Sequence, residues 1–132
     1  MAWRRISLSL VLASQALTGC SKKPVTEEQV MCTMEARPAL AVVVLDSASG
    51  AGLAQVAVAV AREGVFADTL RGTDSIVSGV HERAGTYRVE LSAPGYVDWS
   101  RDGVTVERDA CHVQTARLRA LLVRQAAGRP QT

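Results

Sequence analysis

Short apolar blocks separated by turn residues occupy this chain from Leu40 to Leu121. In the clearest block, residues 86–91, Tyr87, Val89 and Leu91 alternate with polar side chains. A period of two places successive side chains on opposite faces of a strand, whereas an amphipathic helix repeats every 3.6 residues. The alternation therefore favours a fold built from strands, with these three side chains facing the core.

A second alternation, from Val56 to Ala61, places three valines on one face of another strand. The preceding turn, Asp46 to Gly50, contains small and polar residues, and we expect the Asp46 carboxylate to accept backbone hydrogen bonds there. A further turn is predicted at Arg101-Asp102-Gly103. The predicted strands cover residues 40–45, 56–61, 65–70, 75–80, 86–91, 96–99, 104–107 and 111–121. Without an amphipathic helix among them, they predict a single all-β domain, an antiparallel β-sandwich.

Two segments carry a resemblance to carboxypeptidase regulatory-like domains. Residues 42–58 are similar to the opening strand, turn and second strand of these domains, and residues 85–96 are similar to their later Gly-x-Tyr strand, which ends in Gly-Tyr. Gly52 departs from the pattern, since these domains often carry proline before the leucine. The resemblance implies a prealbumin-like, seven-stranded Greek-key β-sandwich without catalytic activity.

The N-terminal segment has the organisation of an export signal. Arg4 and Arg5 precede an apolar run over residues 6–16, and the following Leu17-Thr18-Gly19-Cys20 resembles the lipobox of bacterial lipoproteins. The apolar run is shorter than the roughly 20 residues that a transmembrane helix needs. An ordinary signal peptide or a membrane anchor with an incidental cysteine fits less well. We therefore predict a cleaved lipoprotein signal peptide over residues 1–19 and a lipid anchor on Cys20.

The predicted mature chain has three parts. Residues 20–31 form the lipidated N-terminus and a polar tether, residues 32–123 form the β-sandwich, and residues 124–132 form a flexible C-terminal tail. A tether of about 11 residues reaches at most about 40 Å, so we expect the domain to stay close to its membrane. Ser21 stands where an aspartate is associated with inner-membrane retention in some bacteria, which favours the outer membrane of the cell envelope.

Two cysteines remain beside Cys20. Cys32 and Cys111 lie near the two ends of the predicted domain, and in an exported chain such a pair is expected to form a disulfide. A metal site made of these cysteines with His112 and His81 is the competing hypothesis. It lacks any Cys-x-x-Cys or His-x-x-x-His spacing, so no metal and no cofactor are predicted.

Charge and histidine content argue against two classes of function. The chain has 15 Lys and Arg against 13 Asp and Glu, and Arg4 and Arg5 in the signal account for the excess, so no basic patch for nucleic acid is predicted. Nucleophilic catalysis needs a base, and the chain offers only two histidines. Hydroxyisourate hydrolases share the prealbumin-like fold, but their C-terminal Tyr-Arg-Gly-Ser ending is replaced here by Arg129-Pro130-Gln131-Thr132.

These observations predict a non-enzymatic, lipid-anchored envelope protein that acts as a structural or protein-interaction module. Binding of a carbohydrate or of peptidoglycan is the alternative, with Tyr96 and Trp99 as the candidate ligand patch if both rings are exposed on one surface. A small hydrolase of prealbumin-like fold is a third possibility. The expected partners are the membrane, through the lipid, and an envelope protein or glycan.

Overall fold

The strands of this chain are defined by a computed structural model that describes residues 29–128. The predicted signal peptide, Cys20, most of the tether and the last four residues of the predicted tail lie outside the described residues. Within residues 29–128, no helix is long and apolar enough to span a bilayer. The strands are β1 (Pro38–Asp46), β2 (Val58–Glu63), β3 (Phe66–Thr73), β4 (Ile76–His81), β5 (Gly85–Ser92), β6 (Trp99–Val106) and β7 (Ala116–Leu122).

The strands form one seven-stranded sheet in the order β6-β5-β2-β3-β4-β1-β7. Strand β3 joins the two halves of the sheet, because its first residues pair with β2 and its last residues pair with β4. The terminal strands β6 and β7 approach each other without forming a ladder, so the sheet is nearly closed. The prediction of an all-β domain is confirmed.

The prediction of a purely antiparallel sandwich is wrong in one respect. Strands β1 and β7 pair in parallel, from Leu40 opposite Ala116 to Asp46 opposite Leu122, which makes the sheet mixed. Both strands begin at the same end of the sheet, because β6 ends there, with Val106 opposite Gly85, and residues 107–115 cross at that end to the start of β7. We call this end, where the described chain also enters, the entry end, and the opposite end the far end.

The core lies between the two halves of the sheet. Tyr87, Val89 and Leu91 of β5 are buried, as their alternation predicts, and share one cluster with Leu40 and the other inward side chains of β1. In β2 the predicted alternation is present, but the alanines face the core and the valines face outward. The register explains this orientation, since directly opposed residues share a face of the sheet and the alanines lie opposite the inward Val89 and Leu91 of β5.

The turn predicted at Arg101-Asp102-Gly103 is not formed, because these residues lie inside β6. The ladder between β5 and β6 shifts register here, so that Asp102 and Gly103 together face Arg88. Gly103 has a φ of 67°, a conformation that favours glycine. A turn-like composition within a strand thus marks a β-bulge.

A disulfide joins Cys32 and Cys111, as predicted, across a sequence separation of 79 residues. Cys32 precedes β1 and Cys111 precedes β7, so the bond links the two segments from which the parallel strand pair begins. The covalent link therefore holds together the entrances of the two strands whose pairing departs from the antiparallel pattern.

We expect the double variant Cys32→Ser, Cys111→Ser to lower the free energy of unfolding by about 4 to 5 kcal/mol, because the unfolded chain regains the freedom of a long loop. Urea unfolding of the variant and of the oxidised wild type measures the difference. Non-reducing mass analysis of the wild type should show the Cys32–Cys111 link, and an equal stability of variant and wild type would contradict the stapling role.

Candidate functional site

A groove of about 400 Å³ runs over the outer surface of β2, β5 and β6. We call it the β2–β6 groove and define it by six of its lining residues, Val58, Val60, Arg62, Arg88, Glu90 and Trp99. The inward packing of the β2 alanines turns Val58 and Val60 toward this groove, and Val58 is 56% exposed. Apolar surface thus lies open on a face that carries several charges.

The charges of the groove form a chain of ion pairs. Arg62 Nε lies 2.9 Å from Glu90 Oε2, and Arg88 Nε lies 2.8 Å from Glu90 Oε1. Arg88 continues the chain to Asp102 at 2.8 Å, a contact that the β6 bulge makes available. Arg88, followed by Arg62, holds the pKa of Glu90 below its ordinary value. The groove therefore keeps its carboxylate ionised beside two guanidinium groups, a fixed pattern that a polar ligand can match.

Trp99 begins β6 and forms one wall of the groove. Its ring is half-buried against the core, and the Arg101 guanidinium lies 6.0 Å from the ring centroid. Asp98 and Ser100, its neighbours in sequence, also line the groove. The indole is thus held in place by packing while it still contributes to an open surface.

Tyr96, the other residue of the predicted patch, has a different environment. Its side chain is only 9% exposed, and its hydroxyl donates a 2.6 Å hydrogen bond to Asp46 Oδ2. The structure therefore places the Trp99 ring at the groove and the Tyr96 ring in the core. Tyr96 contributes to the groove indirectly, because it anchors the segment that leads into β6.

Asp46 is the centre of a set of hydrogen bonds that we call the Asp46 anchor. Its buried carboxylate accepts hydrogen bonds from Ala48 N and Ser49 N on Oδ1, and from the Tyr96 hydroxyl and Arg124 Nε on Oδ2. These donors, the Tyr96 hydroxyl first, hold the pKa of Asp46 far below its ordinary value despite burial. The predicted turn hydrogen bonds are present, and the contacts to Tyr96 and Arg124 extend them across the far end.

The first residues of the predicted tail, residues 124–132, belong to the Asp46 anchor. Arg124 donates to Asp46 at 2.8 Å, and the side chain of Gln125 donates to the Tyr96 carbonyl at 2.9 Å. In addition, Val97 N donates to Val123 O, which ties the approach to β6 to the end of β7. The position of Trp99 thus depends on residues that directly follow β7.

A second polar cluster lies at the entry end. His112 Nδ1 is 2.8 Å from Glu82 Oε1, and His112 Nε2 is 3.0 Å from Thr33 Oγ1. Because an ionised carboxylate only accepts, Nδ1 carries the proton toward Glu82, and in the neutral ring Nε2 accepts from the Thr33 hydroxyl. Hydroxyl, imidazole and carboxylate follow one another in the order used by hydrolytic triads, so the cluster bears on the hydrolase hypothesis.

The surroundings of this cluster favour a structural role. Glu82 Oε1 also accepts from Arg37 N at 2.8 Å, and this bond, followed by His112, lowers the pKa of Glu82. The neighbouring N–H groups of Cys111 and His112 both donate to Asp109 Oδ1 at 2.8 Å and are therefore not free to stabilise an oxyanion. The cluster holds residues 29–37, the segment before β1, which we call the arm.

Glu82 is a member of this cluster that the sequence did not identify. Val80 and Glu82 have φ values of 56° and 53°, which are unusual for residues other than glycine. This backbone brings the Glu82 carboxylate to His112, while His81 stays exposed. No residue pattern signalled these dihedral angles, because neither residue type favours them.

The sulfurs of Cys32 and Cys111 are joined to each other, so the alternative metal site has no free thiolate to offer. Over residues 29–128, no group of three or more His, Cys, Asp or Glu side chains is arranged to hold a metal ion. No protein-family model and no curated protein matches this chain.

Because Asp46 has a low pKa in the folded protein, the free energy of unfolding depends on pH. In the unfolded chain an aspartate takes up its proton near pH 3.9, so the stability from Asp46 is complete above about pH 4 and is lost as pH falls toward the lower folded pKa. We expect the stability difference between wild type and Asp46→Asn to narrow with acidification. Tyr96→Phe, which removes the strongest cause of the shift, should lose part of this acid dependence.

Urea unfolding between about pH 2 and pH 7 measures these differences, with Glu35→Gln as a control that removes an exposed carboxylate. A constant difference between Asp46→Asn and wild type over this range would contradict the assignment of the acid dependence to Asp46.

Proposed function

We propose that this chain is a non-enzymatic, lipid-anchored protein of the cell envelope whose β-domain binds a protein partner through the β2–β6 groove. The observation that carries the proposal is the composition of the groove, in which the exposed Val58 and the half-buried Trp99 lie beside the paired charges of Arg62, Glu90 and Arg88. An apolar centre within a polar rim is typical of protein interfaces.

The edge of β6 supports recognition through side chains. Strand β6 ends the sheet order, but its bulge at Asp102 and Gly103 interrupts the regular row of backbone groups that another strand would need. Charged residues on the same stretch, such as Arg101, further oppose strand addition. A partner therefore docks on the outer face of β2, β5 and β6, where the side chains have a fixed arrangement.

Membership among the carboxypeptidase regulatory-like domains is part of the proposal. The residues that carry the resemblance form β1, the Asp46 turn and the start of β2 in one case, and β5 with the following Gly95-Tyr96 in the other. Seven strands around one core suit a prealbumin-like Greek-key sandwich in which the last strand, β7, pairs in parallel with β1.

A carbohydrate or peptidoglycan ligand is the second candidate. Trp99 favours it, because an aromatic ring held by packing at the wall of a groove can stack on a sugar, while Asp98 and Ser100 supply polar groups beside it. In this case a single ring provides the platform, since Tyr96 is buried.

We expect Val58→Asp to weaken partner capture by roughly tenfold or more, because a charge would replace apolar surface at the centre of the interface. Val123→Asp is the matched control, since both valines are 56% exposed and Val123 lies at the far end, outside the groove. Crosslinking of the wild type and both variants in cells, followed by quantification of the crosslinked partner, measures the effect. Equal crosslinking by both variants would contradict the groove assignment.

Trp99→Ala distinguishes the two ligand classes. A dominant crosslinked protein that Trp99→Ala reduces supports the protein partner, whereas recovered glycan that Trp99→Ala abolishes supports the carbohydrate. Peptidoglycan pull-down that persists unchanged in Trp99→Ala would exclude the indole as a sugar platform.

The proposed anchor is tested at Cys20, which lies outside the described residues. We expect Cys20→Ala to leave the chain without lipid and poorly retained by membranes, because the thiol that carries the lipid is absent. Intact mass and membrane fractionation measure both effects. Separation of inner and outer membranes tests the expected outer-membrane location, and an unchanged mass in Cys20→Ala would contradict lipidation.

A further inference from the structure

We propose that the entry end of the domain is a membrane-contact surface, formed by Met31 and Met34 of the arm and Val65 at the tip of the β2–β3 hairpin, which dips into the lipid headgroup region. The inference rests on the proposed lipid anchor and adds to it a defined orientation of the domain, with the entry end toward the bilayer and the Asp46 anchor away from it.

The first observation is the exposure of these side chains. Met31 and Met34 are 92% and 103% exposed, and Val65 is 108% exposed. A turn position is usually filled by Gly, Asn, Asp, Ser or Pro, so a valine in the two-residue Gly64–Val65 turn is unusual for a loop in water. Apolar side chains that project from separate segments without a protein neighbour are suited to a lipid surface.

The second observation is that the strand register brings these segments to the same end. Glu63 and Phe66 pair at the end of the β2–β3 hairpin, and Glu63 accepts from Arg83, which lies between β4 and β5, and from Thr86 N at the start of β5. The adjacent Glu82 in turn accepts from Arg37 N and His112, which hold the arm. A continuous set of contacts therefore links the hairpin tip to the arm.

The third observation identifies the bilayer as the occupant of this surface. The described chain begins at the entry end, and Cys20 lies 11 positions before Met31. A flexible coil of that length spans roughly 20 Å. The proposed lipid is therefore attached closest to this end of the domain, which favours contact of the entry end with the headgroups.

The contact is formed by apolar side chains, and two of the nearby arginines are paired with other groups of the domain. Arg83 Nη2 lies 2.7 Å from Glu63 Oε2, and Arg108 donates to the Glu82 carbonyl at 3.0 Å. The same end carries Glu35, Glu107 and Asp109 as exposed acids. We therefore expect contact with zwitterionic lipid, without a requirement for anionic lipid.

Collisional quenching by brominated phosphatidylcholine tests the orientation. The chain from Cys20 to Thr132 is coupled through the Cys20 thiol to a maleimide phospholipid in vesicles, since the other two cysteines are joined to each other. In a Trp99→Phe background, Val65→Trp places the indole at the entry end and Val123→Trp places it at the far end, about 25 to 30 Å away along the strands. Unchanged thermal unfolding confirms that each variant is folded.

We expect brominated lipid to remove most of the Val65→Trp emission and little of the Val123→Trp emission. Adding Met31→Ser and Met34→Ser to Val65→Trp should reduce the quenching. Equal quenching at both ends, or none at either, would overturn the proposal. A Val65→Trp emission that brominated lipid leaves unchanged because a second copy or another protein covers the entry end would also overturn it. The maleimide coupling attaches the domain to the vesicle chemically. The quenching result is therefore independent of the intact-mass measurement that tests lipidation of Cys20 in cells.

Discussion

The buried carboxylate of Asp46 connects the parts of this domain that would otherwise separate. It ends β1, caps the following turn through Ala48 and Ser49, and receives Tyr96 from the approach to β6 and Arg124 from the end of β7. A buried charge is tolerated only when donors replace its water, and here four donors do so. The near closure of the sheet and the position of Trp99 both depend on this set of hydrogen bonds.

The two ends of the sheet are secured by different chemistry. At the far end, hydrogen bonds to one carboxylate bring β6 and β7 together, whereas at the entry end the Cys32–Cys111 bond and the Glu82–His112–Thr33 cluster hold the segments before β1 and β7. The side of the sheet is left free. The β2–β6 groove therefore occupies a surface that neither set of contacts requires, and this makes it available for binding.

The proposed end-on orientation at the membrane joins these features into one arrangement. With the entry end toward the bilayer, the groove lies on the side of the domain, where a partner in the envelope can approach without displacing the lipid contact. In this proposed arrangement the disulfide fixes the segment before β1, which is the part of the described chain nearest to the proposed anchor. In this proposed arrangement one fold provides both a fixed arm at the entry end and an accessible β2–β6 groove on its side.

Local pattern determined the strands, the inward face of β5, the cysteine pair and the role of Asp46 in its turn, since alternation, turn chemistry and cysteine content act over a few residues or by simple pairing. Tertiary packing decided the rest. The register of β2 against β5 placed the β2 alanines inward and Val58 in a groove, and a bulge at Gly103 formed where a turn was predicted. The parallel β1–β7 pair, the buried Tyr96 and the Glu82–His112 contact depend on residues 30 to 78 positions apart, which no local pattern specifies.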